Sequence, residues 1–419
     1  MARVLLLLPS GTYKAPDFLA AADRLGAEVV VASETTQTLA EAMGDRALVV
    51  DLADPEGAAA AVAALAARRP LDAVVAVDDQ GVLIAALAAK ELGLPANDPG
   101  AVARTRDKAA MRTALAAPAG RPASLRQPPF RVVGRTDDVV AAAREVGWPV
   151  VVKPVSLSAS RGVIRADDPA EVEAAAARVR AILDGDGHPE DEPIIVEAYV
   201  PGDEVAVEAL LRGGELEVLA LFDKPDPLTG PYFEETLYVT PSRLPAEVQA
   251  EIGTAVAEAA AAIGLTEGPV HGELRIDPDG RPWLLELAAR TIGGLCARTL
   301  RFAAGVTLEE LVLRHALGLP LDPRREQVAA GVMMLPIPRA GRLVAVHGQE
   351  EARAVPGITA LEVSIRPGGP VRPLPEGDRY LGFLFARAQT PDAVEAALRA
   401  AHAHLDVEIA PDPETAGPE

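Results

Sequence analysis

At 419 residues, 49% hydrophobic but only 3% aromatic, the chain exceeds the usual size of one core and fills two or three domains mainly with alanine, valine and leucine. Its formal net charge of −21 repels nucleic acid and anionic membranes at long range, so a phosphate ligand has to be held by local positive charge. The single cysteine, Cys296, excludes an intramolecular disulfide and a cysteine metal cluster and fits a reducing, cytoplasmic setting.

Strand-type apolar runs at 4–8, 29–32, 47–50 and 73–77 alternate with helix-type stretches at 15–25, 55–68 and 81–92. This is the pattern of a parallel α/β domain over residues 1–105. The first run is too short to cross a membrane, and no later segment approaches a membrane span. The turns Pro9-Ser10-Gly11-Thr12 and Asp78-Asp79-Gln80 fall at the carboxyl edge of such a sheet, where open α/β sheets bind ligands. The first turn has no GxGxxG, which argues against a dinucleotide.

A helical segment at 98–115 and a proline-rich connection at 118–129 lead into a second domain, 106–325. There, strand-like runs at 150–154, 194–199, 204–211, 217–222 and 283–287 alternate with helices at 137–146, 169–183 and 246–263, an α+β arrangement on antiparallel strands. Strands at 355–364 and 380–386 and a helix at 391–404 make a small C-terminal module over 326–410. Residues 411–419 read as a disordered tail.

Three stretches carry chemistry. In the first, Val151-Val-Lys153-Pro leads into Ser156-Leu-Ser158-Ala-Ser160-Arg161-Gly162. Such a hydroxyl-rich loop can cradle phosphate oxygens while Lys153 supplies charge from the strand below; by composition it equally describes a surface loop. The second is Glu197-Ala-Tyr199-Val200-Pro-Gly202-Asp-Glu204. Here an exposed strand edge can pair with an adenine and a carboxylate can accept ribose hydroxyls, or the stretch is an ordinary hairpin.

The third runs from His271-Gly-Glu273 through a turn at Asp277-Pro-Asp-Gly280 to Glu286-Leu-Ala288-Ala-Arg290. A four-residue loop pairs Ile276 with Arg281, sets Glu273 opposite Leu284 and sets His271 opposite Glu286. Glu273 and Glu286 then become diagonal neighbours, roughly 7 to 8 Å apart at the backbone, close enough to converge on Mg2+. Two such acids also suit glycoside cleavage, and two solvated charges on a sheet face would look alike.

Taken in order, Asp107-Lys108, Lys153-Pro154, the hydroxyl loop, Glu197-x-Tyr-Val-x-Gly-x-Glu204, Glu273 and Glu286-x-x-x-Arg290 resemble the ATP-grasp superfamily, and within it the L-amino acid ligases. The resemblance spans residues 1–325, and the C-terminal module is similar to the small closing domain of amino-acid ligases. It implies that Lys108 and Lys153 contact ATP phosphates beneath a loop carrying Ser156, Ser158 and Ser160. It implies further that the main chain of Glu197 and Val200 holds adenine beside Tyr199, that Glu204 takes the ribose, and that Glu273 and Glu286 bind Mg2+. Arg290 then acts on the substrate carboxylate or oxyanion, with His271, Gly293 and Gly294 on the substrate side. The implied reaction joins a carboxylate to an amine, both from amino acids, through an acyl phosphate, and the implied assembly is a homodimer. An ATP-grasp carboxylase and a non-catalytic ATP-binding regulator are the alternatives. The family usually has Asn two residues after the second glutamate, where this chain has Ala288. The segment 223–238 concentrates aromatics beside carboxylates, with Glu234 or Glu235 near a substrate ammonium, or else caps the core with its rings.

Overall fold

In the computed structural model, which describes residues 1–37, 43–116 and 125–412, the apolar runs of the first hundred residues form a four-stranded parallel sheet. Its elements are β1 (Arg3–Leu7), α1 (Ala15–Arg24), β2 (Glu28–Ser33), β3 (Ala47–Val49), α2 (Pro55–Ala66), β4 (Ala73–Ala76) and α3 (Val82–Leu92), with strand order β3-β2-β1-β4. β1 is apolar on both faces because both are covered: Val4 and Leu6 pack with Phe18 of α1, and Leu5 and Leu7 with Ala58 of α2 and Ile84 of α3.

The helix expected over 98–115 is two helices, α4 (Pro99–Thr105) and α5 (Lys108–Ala116). The break has a capping cause: the Asp107 carboxylate accepts from the Ala110 N–H at 2.9 Å, which starts a new helix with Lys108 in its first turn. The proline-rich connection lies outside the described residues up to position 124, as does the tail from position 413.

Next come β5 (Phe130–Val133), α6 (Val139–Val146), β6 (Val150–Pro154), β7 (Ile164–Ala166), α7 (Pro169–Gly185) and β8 (Ile194–Ala198), an antiparallel sheet of order β5-β8-β6-β7. Val150, Val152, Ile194 and Val196 pack under the two helices. Strand alternation therefore turns Lys153 and Glu197 to the other face.

The remaining chain contributes β9 (Asp203–Arg212), β10 (Glu215–Lys224), β11 (Leu237–Thr240), α8 (Ala246–Ile263), β12 (Gly268–Ile276), β13 (Pro282–Ala288), α9 (Leu308–Ala316) and β14 (Ala329–Leu335). It ends with β15 (Gly341–His347), α10 (Gln349–Ala354), β16 (Ile358–Val363), β17 (Pro370–Val371), β18 (Gly382–Ala388), α11 (Pro391–His402) and β19 (Asp406–Ala410). Eight of these strands form one antiparallel sheet of order β13-β12-β9-β10-β11-β14-β18-β16, and a small sheet has order β17-β15-β19. The large sheet crosses residue 325 without interruption, since β11 pairs with β14. On β9, Val205, Val207, Ala209 and Leu211 pack with Ile252 and Val256 of α8, which leaves Glu204 and Glu208 on the opposite face. Among the described residues no helix is long and apolar enough to cross a membrane.

Candidate active site

Three rows of side chains run across the open face of the large sheet, each set by strand register. Lys224, Glu204 and Arg275 form one row; Phe222, Ala206, Glu273 and Glu286 the next; Ala220, Glu208, His271 and Ala288 the third. The β12–β13 hairpin exists as expected, but its register differs in two steps. Asp277 accepts hydrogen bonds from the N–H groups of Asp279 and Arg281 and from the Trp283 indole at 2.9–3.0 Å, which widens the turn so that Ile276 pairs with Pro282. A bulge at Leu285 then adds a second offset. Glu273 thus faces Glu286 directly instead of diagonally, and His271 faces Ala288 instead of Glu286.

A cavity of about 620 Å³ lies over these rows. Its border includes Lys108, Lys153, Ser156, Ser158, Ser160, Glu197, Tyr199, Val200, Glu204, His271, Glu273, Glu286, Arg290, Gly293 and Gly294, so the motifs scattered over 187 positions of sequence meet in one place. The N-terminal sheet contributes Thr12, Tyr13, Asp78 and Asp79, and the C-terminal module contributes Asp378, Arg379 and Tyr380. Glu235 also borders this space, whereas Glu234 borders a small separate one.

Charges on the floor lie against opposite charges. The Lys224 ammonium lies 2.7 Å from Glu204, 2.5 Å from Glu235 and 3.4 Å from Glu273. Burial alone would depress this lysine, but the three carboxylates hold it well above its usual range. Burial raises Glu235 to about 7, with Lys224 opposing and Glu273 and Glu204 reinforcing the rise. Glu273 resists burial and stays well below the usual carboxylate range because Lys224 and His271 face it. His271 lies 2.6 Å from Glu208 and 3.3 Å from Glu273; against burial, these partners push it up to about 9, so it is cationic at neutral pH.

On the second sheet, Glu197 is bound through its carboxylate by Arg112 and Lys153, each at 2.7 Å. Its main chain lies between β5 and β6, opposite Phe130 and Val151. Beyond the strand, the Tyr199 ring has the Arg165 guanidinium 4.3 Å and that of Arg275 5.0 Å from its centre, and the Val200 carbonyl accepts from Arg275 at 2.9 Å.

Glu273 and Glu286 fit a hard dication. They offer oxygen donors only, face each other across two strands, and each already looks at an ammonium, Lys224 at 3.4 Å and Lys108 at 3.7 Å. Ala288 is buried and supplies no oxygen side chain.

An ATP-grasp domain model matches residues 146–299, an ATP-grasp N-terminal domain model 19–96, and a model of the L-amino acid ligase C-terminal domain 2 matches 333–410. D-alanine–D-alanine ligase of Gloeobacter violaceus is 31% identical over 239 residues, 53% of this chain and 72% of that protein. The chain belongs to the ATP-grasp family. Alanine–anticapsin ligase of Bacillus subtilis is 28% identical over 258 residues, covering 58% of this ATP-grasp chain and 53% of the ligase. The crystal structure of L-amino acid ligase from Bacillus licheniformis superposes with a TM-score of 0.80 at 26% identity, over 98% of this chain and 99% of that one. The chain spans about half to two thirds of the length of the curated relatives at 28% identity.

Sequence reasoning missed Arg275 in the lining of this ATP-grasp cavity and Lys224 and Arg112 behind it, and it placed Asp79 in a ligand-edge turn without a partner. Lys224 and Arg275 stand in one row with Glu204, and strand alternation gave a signal for both once the register was known. Arg112, and the contact of Asp79 with Arg290, come from elements whose approach only tertiary packing decides.

Proposed function

We propose that this ATP-grasp protein is a carboxylate–amine ligase that joins amino acids in an amide bond, using ATP and releasing ADP and phosphate. The single observation that carries the reading is the convergence of Lys108, Lys153, the facing pair Glu273 and Glu286, and Arg290 around one cavity, with Lys224 buried against Glu273 at 3.4 Å. A carboxylate is a poor electrophile, and transfer of the γ-phosphoryl group to its oxygen turns it into a good one as ADP leaves. Lysines around that group neutralise charge on the moving phosphoryl. Tyr199 and the N–H of Val200 frame the adenine, Glu204 accepts the ribose hydroxyls, and Glu197 keeps Lys153 upright beneath the phosphates. Mg2+, held by Glu273 and Glu286 with water in place of the oxygen that Ala288 lacks, would shield the phosphate oxygens. Arg290 stabilises the oxyanion when the amine nitrogen attacks the acyl carbon and phosphate departs. Glu235 in its carboxylate form receives the substrate ammonium, and its raised basicity suits a group that takes the proton the attacking amine loses.

The loop over 156–163 closes above the phosphates and keeps water from the acyl phosphate. Screening amino acids in pairs for phosphate release tests the reading. Release that depends on a particular pair, with an amide product of matching mass, supports it; ATP binding without turnover for any pair defeats it.

A further inference from the structure

Arg290 is gripped from the N-terminal domain at a point 211 positions earlier in the chain. The Oδ1 of Asp79 accepts from its Nε–H at 3.2 Å. The Nη1 donates to the carbonyl of Thr291 at 3.0 Å, and the hydroxyl of Thr291 accepts from the buried ammonium of Lys14 at 3.1 Å. Among the described residues, Nη2 is the guanidinium nitrogen with no protein partner. Asp79 is itself held still. Its N–H donates to the Asp78 carboxylate at 2.9 Å, and Gly81, two residues on, sits so close to the sheet that a Cβ there would meet Leu7 Cβ at 2.9 Å and Ala76 Cβ at 3.2 Å. The turn is seated on the carboxyl ends of β1 and β4 and cannot drift. The other oxygen of Asp79 stands 3.8 Å from Arg106 Nε, beside the start of the helix that carries Lys108.

We infer that Asp79 is the positioning residue of Arg290: the first domain aims the guanidinium at the reacting carboxyl group by fixing its Nε edge. The inference rests on the ligase reading for what Arg290 does, and on the contacts above for how it is aimed. An arginine has many rotamers to lose, and a group misplaced by about 1 Å can cost about a hundredfold in rate.

Asp79→Asn keeps the shape and removes the charge. It is expected to lower kcat for amino-acid-dependent phosphate release by about a hundredfold and to leave the KM for ATP within about twofold, with Asp79→Glu recovering about tenfold of the loss. In an Arg290→Ala background, Asp79→Asn is expected to change kcat by less than about twofold, because the residue acts through Arg290. A wild-type kcat in Asp79→Asn, or a full loss repeated in the Arg290→Ala background, overturns the inference. A second measurement needs no turnover: the Nε–H resonance of Arg290 in 15N-arginine-labelled protein, assigned by its absence in Arg290→Lys. It should exchange slowly in the wild type and shift and exchange faster in Asp79→Asn; an unaltered resonance overturns the inference. Should the wild type turn over no amino-acid pair, the ligase reading fails, and this resonance still decides whether Asp79 orients Arg290.

Discussion

Glu197 is 1% exposed and survives as an anion because two cations share it. Burial pushes its carboxyl up, but Arg112 and Lys153 pull it down to about 2, against 4.5 for a free glutamate. The folded protein thus binds fewer protons here than the unfolded chain, so the stabilisation is complete above pH 4.5 and is lost as pH falls from there towards 2. Urea melts should show that loss in the wild type and a flatter profile in Glu197→Gln. At neutral pH the variant should be less stable by about 3–5 kcal/mol, because Arg112 is left buried with half a partner. Glu286 is a different case, being half-buried and facing Lys108 only at 3.7 Å. Glu286→Gln should leave the melting temperature nearly unchanged and raise the Mg2+ concentration for half-maximal phosphate release by about 10- to 100-fold.

At the scale of elements, the β8–β9 turn and the end of β12 constrain each other. Gly202 has φ +112°, and a Cβ there would lie 1.9 Å from the carbonyl oxygen of Ile276. Because that obstacle is backbone, Gly202→Ala must part the two strands. A loss of about 2–4 kcal/mol in urea melts is expected, together with a higher KM for ATP, since Tyr199 and Val200 precede the same turn. The hairpin of β12 and β13 carries a related lesson. Its strands and turn were legible from alternation and from Asp277-Pro-Asp-Gly280, whereas the wide turn and the bulge at Leu285 were not, because hydrogen bonds donated to the Asp277 carboxylate and packing under α8 set them. β14 went unrecognised for a simpler reason. Ala329–Leu335 is buried on both faces and so has no alternation to read.

For the whole molecule, the loop over 156–163 is tied to the C-terminal module. The Gly162 N–H donates to the Pro375 carbonyl and Arg161 Nε to the Glu376 carbonyl, both at 3.0 Å. The Glu376 carboxylate accepts from Arg178 at 2.7 and 3.0 Å. Glu376→Ala should loosen closure and expose the acyl phosphate to water. The ratio of phosphate released to amide formed is expected to rise by about threefold or more; a ratio held at one would show that the tie does not govern closure.

The amino-acid sequence alone determined which chemical groups are available and in what order: the lysines 108 and 153, the hydroxyl loop, the acids 273 and 286 and Arg290, together with the α/β and antiparallel regions that carry them. Hydrophobic periodicity is a local property, and so these were readable. Tertiary structure decided which carboxylates face each other, that Glu197 spends its charge on Arg112 and Lys153, that Lys224 sits among three glutamates, and that Asp79 reaches Arg290. These depend on register offsets of one residue and on contacts between elements up to 211 positions apart, and a local pattern carries no information about either.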